Sequence, residues 1–159
     1  MTETAPVDGG GRAELLASYI DAARRSGALM QLLSQAAAER IGINATDLNC
    51  LNILSFSGPM TAGQLAQATG LTTASITGVI DRLEQAGYAE RERDARDRRR
   101  VVVRLIVSAV HRDVAPAFAP VLAAWREIAK SYTDDEIALI AGFQRRVEAA
   151  IRDQLTGVR

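Results

Sequence analysis

Apolar positions recur with a helical period along most of this chain. Between residues 12 and 42, Leu15, Tyr19, Ala22, Ala23, Leu29, Leu32, Leu33 and Ala36 supply the apolar faces of one long helix, and Gly42 is placed to close it. Gly27 falls inside this helix and loosens it locally. A second helix is expected from Thr46 as N-cap, with Leu48, Leu51, Ile53 and Leu54 as its apolar set and Ser57-Gly58-Pro59 as its end. Thr61-Ala62-Gly63-Gln64 has the form of a capping box and opens a short third helix, Ala62 to Thr69, that buries Leu65, Ala66 and Ala68. Gly70 makes a sharp turn and Thr72 caps a fourth helix, in which Ile76, Val79, Ile80 and Leu83 share one face.

The pattern changes after Gly87. That glycine stands where a left-handed residue ends a helix, with Tyr88 following as the residue that packs back on Leu83. Ala89 to Arg93 and Val101 to Val107 read as two strands of a hairpin with Asp94 to Arg100 as its loop. Ser108 is then expected to cap a fifth helix reaching about Ser131, with a kink or an irregular start because Pro116 and Pro120 lie inside it. Thr133-Asp134-Asp135-Glu136 is another capping box, and it opens a last helix to Leu155 with the stripe Ile137, Ile140, Val147, Ile151 and Leu155.

A short helix, a turn containing glycine and a second helix form the spacing of a helix-turn-helix, and the charged hairpin after it adds a wing. The fold class expected is mainly α, a winged helix-turn-helix with a two-stranded β-wing and an all-helical dimerisation region. The domains expected are a flexible tail over residues 1–11, a dimerisation helix over 12–45, a DNA-binding domain over 46–107 and C-terminal dimerisation helices over 108–159.

Charge sharpens this reading. The whole chain carries a formal net charge of +0, yet seven arginines and four acids between Tyr88 and Arg104 give the hairpin +3, so attraction to a polyanion is local. Arginine suits bidentate phosphate contacts and narrow minor grooves better than lysine, and Lys130 is the one lysine here. Aromatics make up only 4% of residues, so the core rests on Ala, Leu, Ile and Val, a composition of close-packed helices. No apolar run is long enough for a membrane span, and the polar, glycine-rich beginning of the chain has no apolar segment of a secretion signal. Cys50 is the single cysteine, which excludes an intramolecular disulfide and fits a reducing cytoplasm.

Double-stranded DNA is the partner this arrangement suits. An α-helix fits the major groove and meets base edges near its N-terminus. There this chain has Thr72, Thr73, Ala74, Ser75, Thr77 and Gly78: small side chains whose hydroxyls donate or accept and whose methyl groups can meet thymine. Arg82, Arg96 and the wing arginines would contact phosphates, and Asp97 makes sense as the partner that aims a neighbouring arginine.

Leu65-Ala66, Gly70-Leu71-Thr72, Val79-Ile80-Asp81-Arg82-Leu83-Glu84, Gly87-Tyr88, Arg91 and Asp97-Arg98-Arg99 resemble the MarR family of bacterial transcriptional regulators. The resemblance runs from the first helix to the last and is richest in motifs between residues 46 and 108. It implies a homodimer with the first and the last two helices interwoven. It also implies binding to a pseudo-palindromic operator, mostly to repress, and in many members release by a small aromatic effector. Matched by position, Thr73, Ala74, Ser75, Thr77 and Gly78 face the bases, Arg98 and Arg99 enter the minor groove, and Asp97 orients them. Two departures stand out. Leu105-Ile106-Val107-Ser108-Ala109 replaces the family's usual start to the fifth helix. Gly78 replaces a longer side chain, which implies fewer direct hydrogen bonds and more dependence on groove shape at that step.

Other readings compete with DNA recognition. A winged helix can serve as a protein-interaction module, but that version should lack an outward basic wing. Cys50 could make the chain a thiol redox sensor, yet it lies in the second helix with no neighbouring cation in sequence, which favours a structural cysteine. Trp125, Tyr19 and Tyr132 could meet an aromatic effector, or equally pack a core or interface. An enzyme is disfavoured: there is no metal-ligand cluster, no phosphate-binding glycine loop, and His111 and Cys50 are the only candidates for a nucleophile-base pair. No cofactor is implied.

Overall fold

The computed structural model describes residues 11–94 and 97–157. The expected tail up to residue 10 and the expected phosphate contact Arg96 lie outside them. The elements run α1 (Arg12–Ile41), α2 (Ala45–Ser57), α3 (Ala62–Thr69), α4 (Thr73–Gln85), β1 (Ala89–Arg93), β2 (Val101–Leu105), α5 (Val107–Asp113), α6 (Ala115–Ala129) and α7 (Asp134–Gly157). This is a mainly helical winged fold with one two-stranded antiparallel sheet. Two compact units divide between Val114 and Ala115.

The core of the first unit is the meeting of α2, α3, α4 and β2. Leu48, Leu51, Leu65, Ile76, Ile80, Leu83 and Val103 are fully buried there. Each such side chain contributes about 1.5–3 kcal/mol by leaving water. Ile76, Val79, Ile80 and Leu83 are the buried residues of α4, as the 3.6-residue period predicts, so the opposite face of that helix is left outward. Ala68 is exposed, contrary to expectation, because it lies about 200° round the helix from Ala66.

Local signals set the helix ends. Gly42 takes a left-handed φ of 79° after α1. The next helix then starts earlier than Thr46: Asn44 is the N-cap, its side-chain oxygen accepting the Asp47 N–H at 2.8 Å. Asparagine is among the strongest N-caps, and it comes first as the chain leaves the Gly42 turn. The capping box of α3 forms as expected, with Gln64 N–H donating to Thr61 Oγ1 at 3.2 Å and Thr61 N–H to Gln64 Oε1 at 2.9 Å. At the end of α4, Gly87 N–H donates to the Glu84 carbonyl and Tyr88 N–H to the Leu83 carbonyl, a complete Schellman motif around a glycine at φ 76°.

β1 pairs with β2 from Ala89↔Leu105 to Arg93↔Val101. Met60 adds one more rung, exchanging both backbone hydrogen bonds with Val103. A single residue between Pro59 and Thr61 has no periodicity by which to foresee this. The second strand stops at Leu105, not Val107, because the chain turns helical at Val107. That helix has Ile106 as its N-cap with no side-chain cap, so Ser108 does not cap it. Nor is one kinked helix continuous to Ser131. α5 stops at Asp113, ahead of Pro116, which has no N–H to offer the Arg112 carbonyl of a continued helix. Pro120 is accommodated inside α6. In the second unit the capping box of α7 forms, with Thr133 N–H donating to Glu136 at 2.7 Å and Glu136 N–H to Thr133 Oγ1 at 3.3 Å.

Much apolar surface remains uncovered. Leu15, Leu16, Ile20, Leu29 and Leu32 of α1 are exposed, as are Trp125, Ile128, Ile137, Leu139, Ile140 and Ile151 of the C-terminal unit. No described helix is long and apolar enough to cross a membrane.

Candidate nucleic-acid interface

The outward face of α4 starts with its cap. Thr72 Oγ1 accepts the Ser75 N–H at 3.1 Å, and the two hydroxyls lie 2.8 Å apart. Thr72, Thr73, Ala74, Ser75 and Thr77 are exposed, and Gly78 is half-buried. Thr77 donates its hydroxyl proton to the Thr73 carbonyl at 2.9 Å. With that proton committed, Thr77 presents lone pairs outward. In a major groove such an oxygen suits the amino groups of adenine or cytosine, and its methyl group suits thymine.

The wing loop is organised by backbone bonds from Asp94 N–H to the Arg100 carbonyl and from Arg100 N–H to the Asp97 carbonyl. Asp97 Oδ1 accepts from both the backbone N–H and Nε of Arg99, at 3.1 and 3.3 Å. Arg99 is 93% exposed, so this carboxylate orients a side chain that otherwise projects into solvent. Arg93 donates to the Arg98 carbonyl at 2.9 Å and braces the loop from the strand side. Arg98 is exposed beside Arg99.

Three ion-pair groups behind this surface were not read from sequence. Arg82 donates from Nε and a terminal nitrogen to the two oxygens of Asp47, at 3.0 and 2.6 Å. Sequence reading assigned Arg82 to a phosphate; in the fold its guanidinium is held by Asp47, while about half of its side chain stays exposed. The hydrogen bond to Asp47 raises the Arg82 pKa above its ordinary value. Arg91 forms the second group: its side chain bridges Asp81 and Glu84 of α4, and its backbone N–H donates to Glu84 at 2.8 Å. Arg104 forms the third, between Glu90 and Glu92 of the facing strand. Arginine followed by acids at alternating strand positions was the one available signal, and only the register showed which acids each arginine meets.

Cys50 is buried on α2, and its thiol is pushed up to about 11, by burial first and then by the Asp47 charge, against the pull of Arg82. A thiol held neutral in this way is a poor nucleophile. His111 is exposed.

Comparisons with known proteins agree with this geometry. The MarR family profile matches residues 41–100. The uncharacterised HTH-type transcriptional regulator YcgE of Bacillus subtilis (strain 168) is 38% identical over 144 residues, 91% of this chain and 93% of that one. A MarR family protein from Bacillus stearothermophilus has a similar fold, with TM-score 0.64 and 20% identity, over 89% of this chain and 99% of the other. A mutant MepR from S. aureus, bound to an oligodeoxyribonucleotide, aligns with TM-score 0.53 and 18% identity over 84% of this chain and 97% of its own. With a relative matched nearly from end to end, and the helix-turn-helix and wing both in place, this chain belongs to the MarR family of DNA-binding transcriptional regulators.

Proposed function

We propose that this protein is a sequence-specific repressor that works in the cytoplasm, as a homodimer on a pseudo-palindromic operator. The observation that carries the reading is the pairing of two outward surfaces: the small, hydroxyl-rich start of α4 and the exposed Arg98-Arg99 tip of the wing. Thr73, Ser75 and Thr77 would read bases in the major groove, with Thr72, Ala74 and Gly78 completing the contact face. Arg98 and Arg99 would enter the minor groove, with Asp97 aiming Arg99. Arg96 would add a phosphate contact, and so would the exposed half of Arg82, secondary to its bond with Asp47. Residues 46–107 would then be the DNA-binding domain.

The exposed apolar positions of α1, α6 and α7 support residues 12–45 and 108–159 as the dimerisation region. A two-fold dimer presents two recognition helices to half-sites about 34–36 Å apart. A small aromatic effector would fit the cavity of about 410 Å³ lined by Leu54, Pro59, Leu105, Val107 and Val110, with Arg104 and His111 at hand for an acidic group.

The test is fluorescence anisotropy on the intergenic DNA flanking the protein's own gene, against a shuffled duplex, at several salt concentrations. Tight binding to the first, with a large specificity ratio, is the expected result. Arg99→Ala should weaken that binding and flatten its salt dependence. Equal weak binding to both duplexes would remove the repressor reading at this site.

A further inference from the structure

Arg91 joins the wing to the recognition helix. It occupies the middle of β1, opposite Val103, and Val103 is itself locked to Met60 on its other edge. From this position the Arg91 guanidinium meets Asp81 with one nitrogen, at 2.8 Å, and Glu84 with another. Asp81 and Glu84 are three residues apart on α4, hence adjacent on one face of the helix. Glu84 also accepts the Arg91 backbone N–H, so the bond fixes both the strand and its side chain. A planar fork can hold two carboxylates at once, whereas the point charge of a lysine cannot hold both with the same geometry. Arg104, by contrast, joins Glu90 and Glu92 within the hairpin, a contact that does not involve α4.

The wing loop begins three residues beyond Arg91, roughly 10 Å further at the usual strand rise. A tilt of roughly 10° at Arg91 would carry the tip about 2 Å sideways, a large fraction of a minor groove only about 6 Å wide.

We infer that Arg91 is a positioning residue for DNA recognition: by bridging Asp81 and Glu84 it sets where the wing presents Arg98 and Arg99 relative to the base-facing start of α4. This rests on the reading of the wing as a DNA contact. Arg91 acts through the wing tip, so its loss and the loss of the tip should not add.

The experiment is a double-mutant cycle in the full-length protein. The probe is a duplex enriched by the wild-type protein from a random-sequence library. Binding is measured for wild type, Arg91→Gln, Arg98→Ala/Arg99→Ala and the combined variant, at several salt concentrations. Arg91→Gln alone should weaken binding by about tenfold and flatten the salt slope toward that of the tip variant. In the tip-less background it should cost less than about twofold. Arg91→Lys should fall between wild type and Arg91→Gln. An equal loss from Arg91→Gln in both backgrounds would overturn the inference while leaving the wing contact standing. A tip variant that binds like wild type would overturn the wing reading and this inference with it. Should Arg91→Gln unfold, Asp81→Asn/Glu84→Gln takes its place in the same cycle, since it removes the bridge from the helix side.

Discussion

Arg82 on the recognition helix holds Asp47 on α2 through two hydrogen bonds, and Asp47 is only 2% exposed while the Arg82 side chain is 49% exposed. The asymmetry decides what each loss should do. Arg82→Ala strands a carboxylate away from water and should cost about 2–4 kcal/mol. Asp47→Ala leaves a cation that can turn to solvent, and should cost about 1–2 kcal/mol. Urea unfolding of the two variants checks the order. Equal losses, or the reverse, would mean that Asp47 reaches water without Arg82.

Gly87 turns the chain from α4 into the wing at φ 76°, and apart from its own chain neighbours no atom lies within 4 Å of where a Cβ would be. Gly87→Ala should therefore cost only the left-handed backbone penalty, about 1–2 kcal/mol. Gly87→Asn should cost less, since asparagine tolerates that region. Thermal unfolding of both variants would expose a hidden steric clash if asparagine proved the worse.

Thr72 and Ser75 form one hydrogen-bonded pair, in which Thr72 caps α4 and Ser75 is the proposed base reader. Thr72→Ala removes the cap of α4 and should lower stability by about 1 kcal/mol. Ser75→Ala should alter sequence preference more than non-specific affinity. Selection from a random library by wild type and Ser75→Ala measures this, and an unchanged consensus with uniformly weaker binding would contradict base reading by Ser75.

Cys50 should make stability pH-dependent in the alkaline range. Its thiol is raised from 9.0 to about 11 in the folded state, so folding favours the protonated form. That contribution is fully present below pH 9.0 and is lost as pH rises toward 11. Comparison of wild type with Cys50→Ser in urea across this window should show the wild-type advantage shrinking as pH rises. At pH 8 iodoacetamide should leave Cys50 unmodified until the protein is unfolded. Rapid alkylation of the native protein would revive thiol sensing.

Ile140 and Ile151 lie on the exposed apolar stripe of α7. If that stripe is a dimer seam, light scattering should give twice the chain mass for wild type, and Ile140→Glu/Ile151→Glu should shift the population toward monomer. An unchanged mass in the variant would place the seam elsewhere.

Helix patterns, both capping boxes, the Gly87 turn and the hairpin were legible in the sequence because each depends on residues within about four positions of one another. Thr61 meets Gln64 and Thr133 meets Glu136 whatever the rest of the chain does. Errors came where two local signals competed. Asn44 and Thr46 both favour an N-cap, and the helix took the first. Ser108 looked like a cap, but the helix had already begun at Val107. Pro116, expected to kink one helix, stands just past the single turn residue Val114 that divides two.

The ion pairs were invisible because their partners are far apart in sequence or chosen by strand register. Asp47 and Arg82 are 35 residues apart. Nothing local distinguishes Arg82, held on a buried carboxylate, from Arg99, which projects into solvent. A seven-arginine stretch announces a basic wing, but only the pairing of β1 with β2 and the packing of β1 against α4 decide that Arg91 faces Asp81 and Glu84 while Arg104 faces Glu90 and Glu92. The sequence by itself determined most of the elements and marked the outward start of α4 and the basic wing as the surface to test, since periodicity and caps are short-range properties. The tertiary structure decided which charges remain outward, since an ion pair needs the fold to bring two opposite charges within a few ångströms, and sequence distance does not say where that happens.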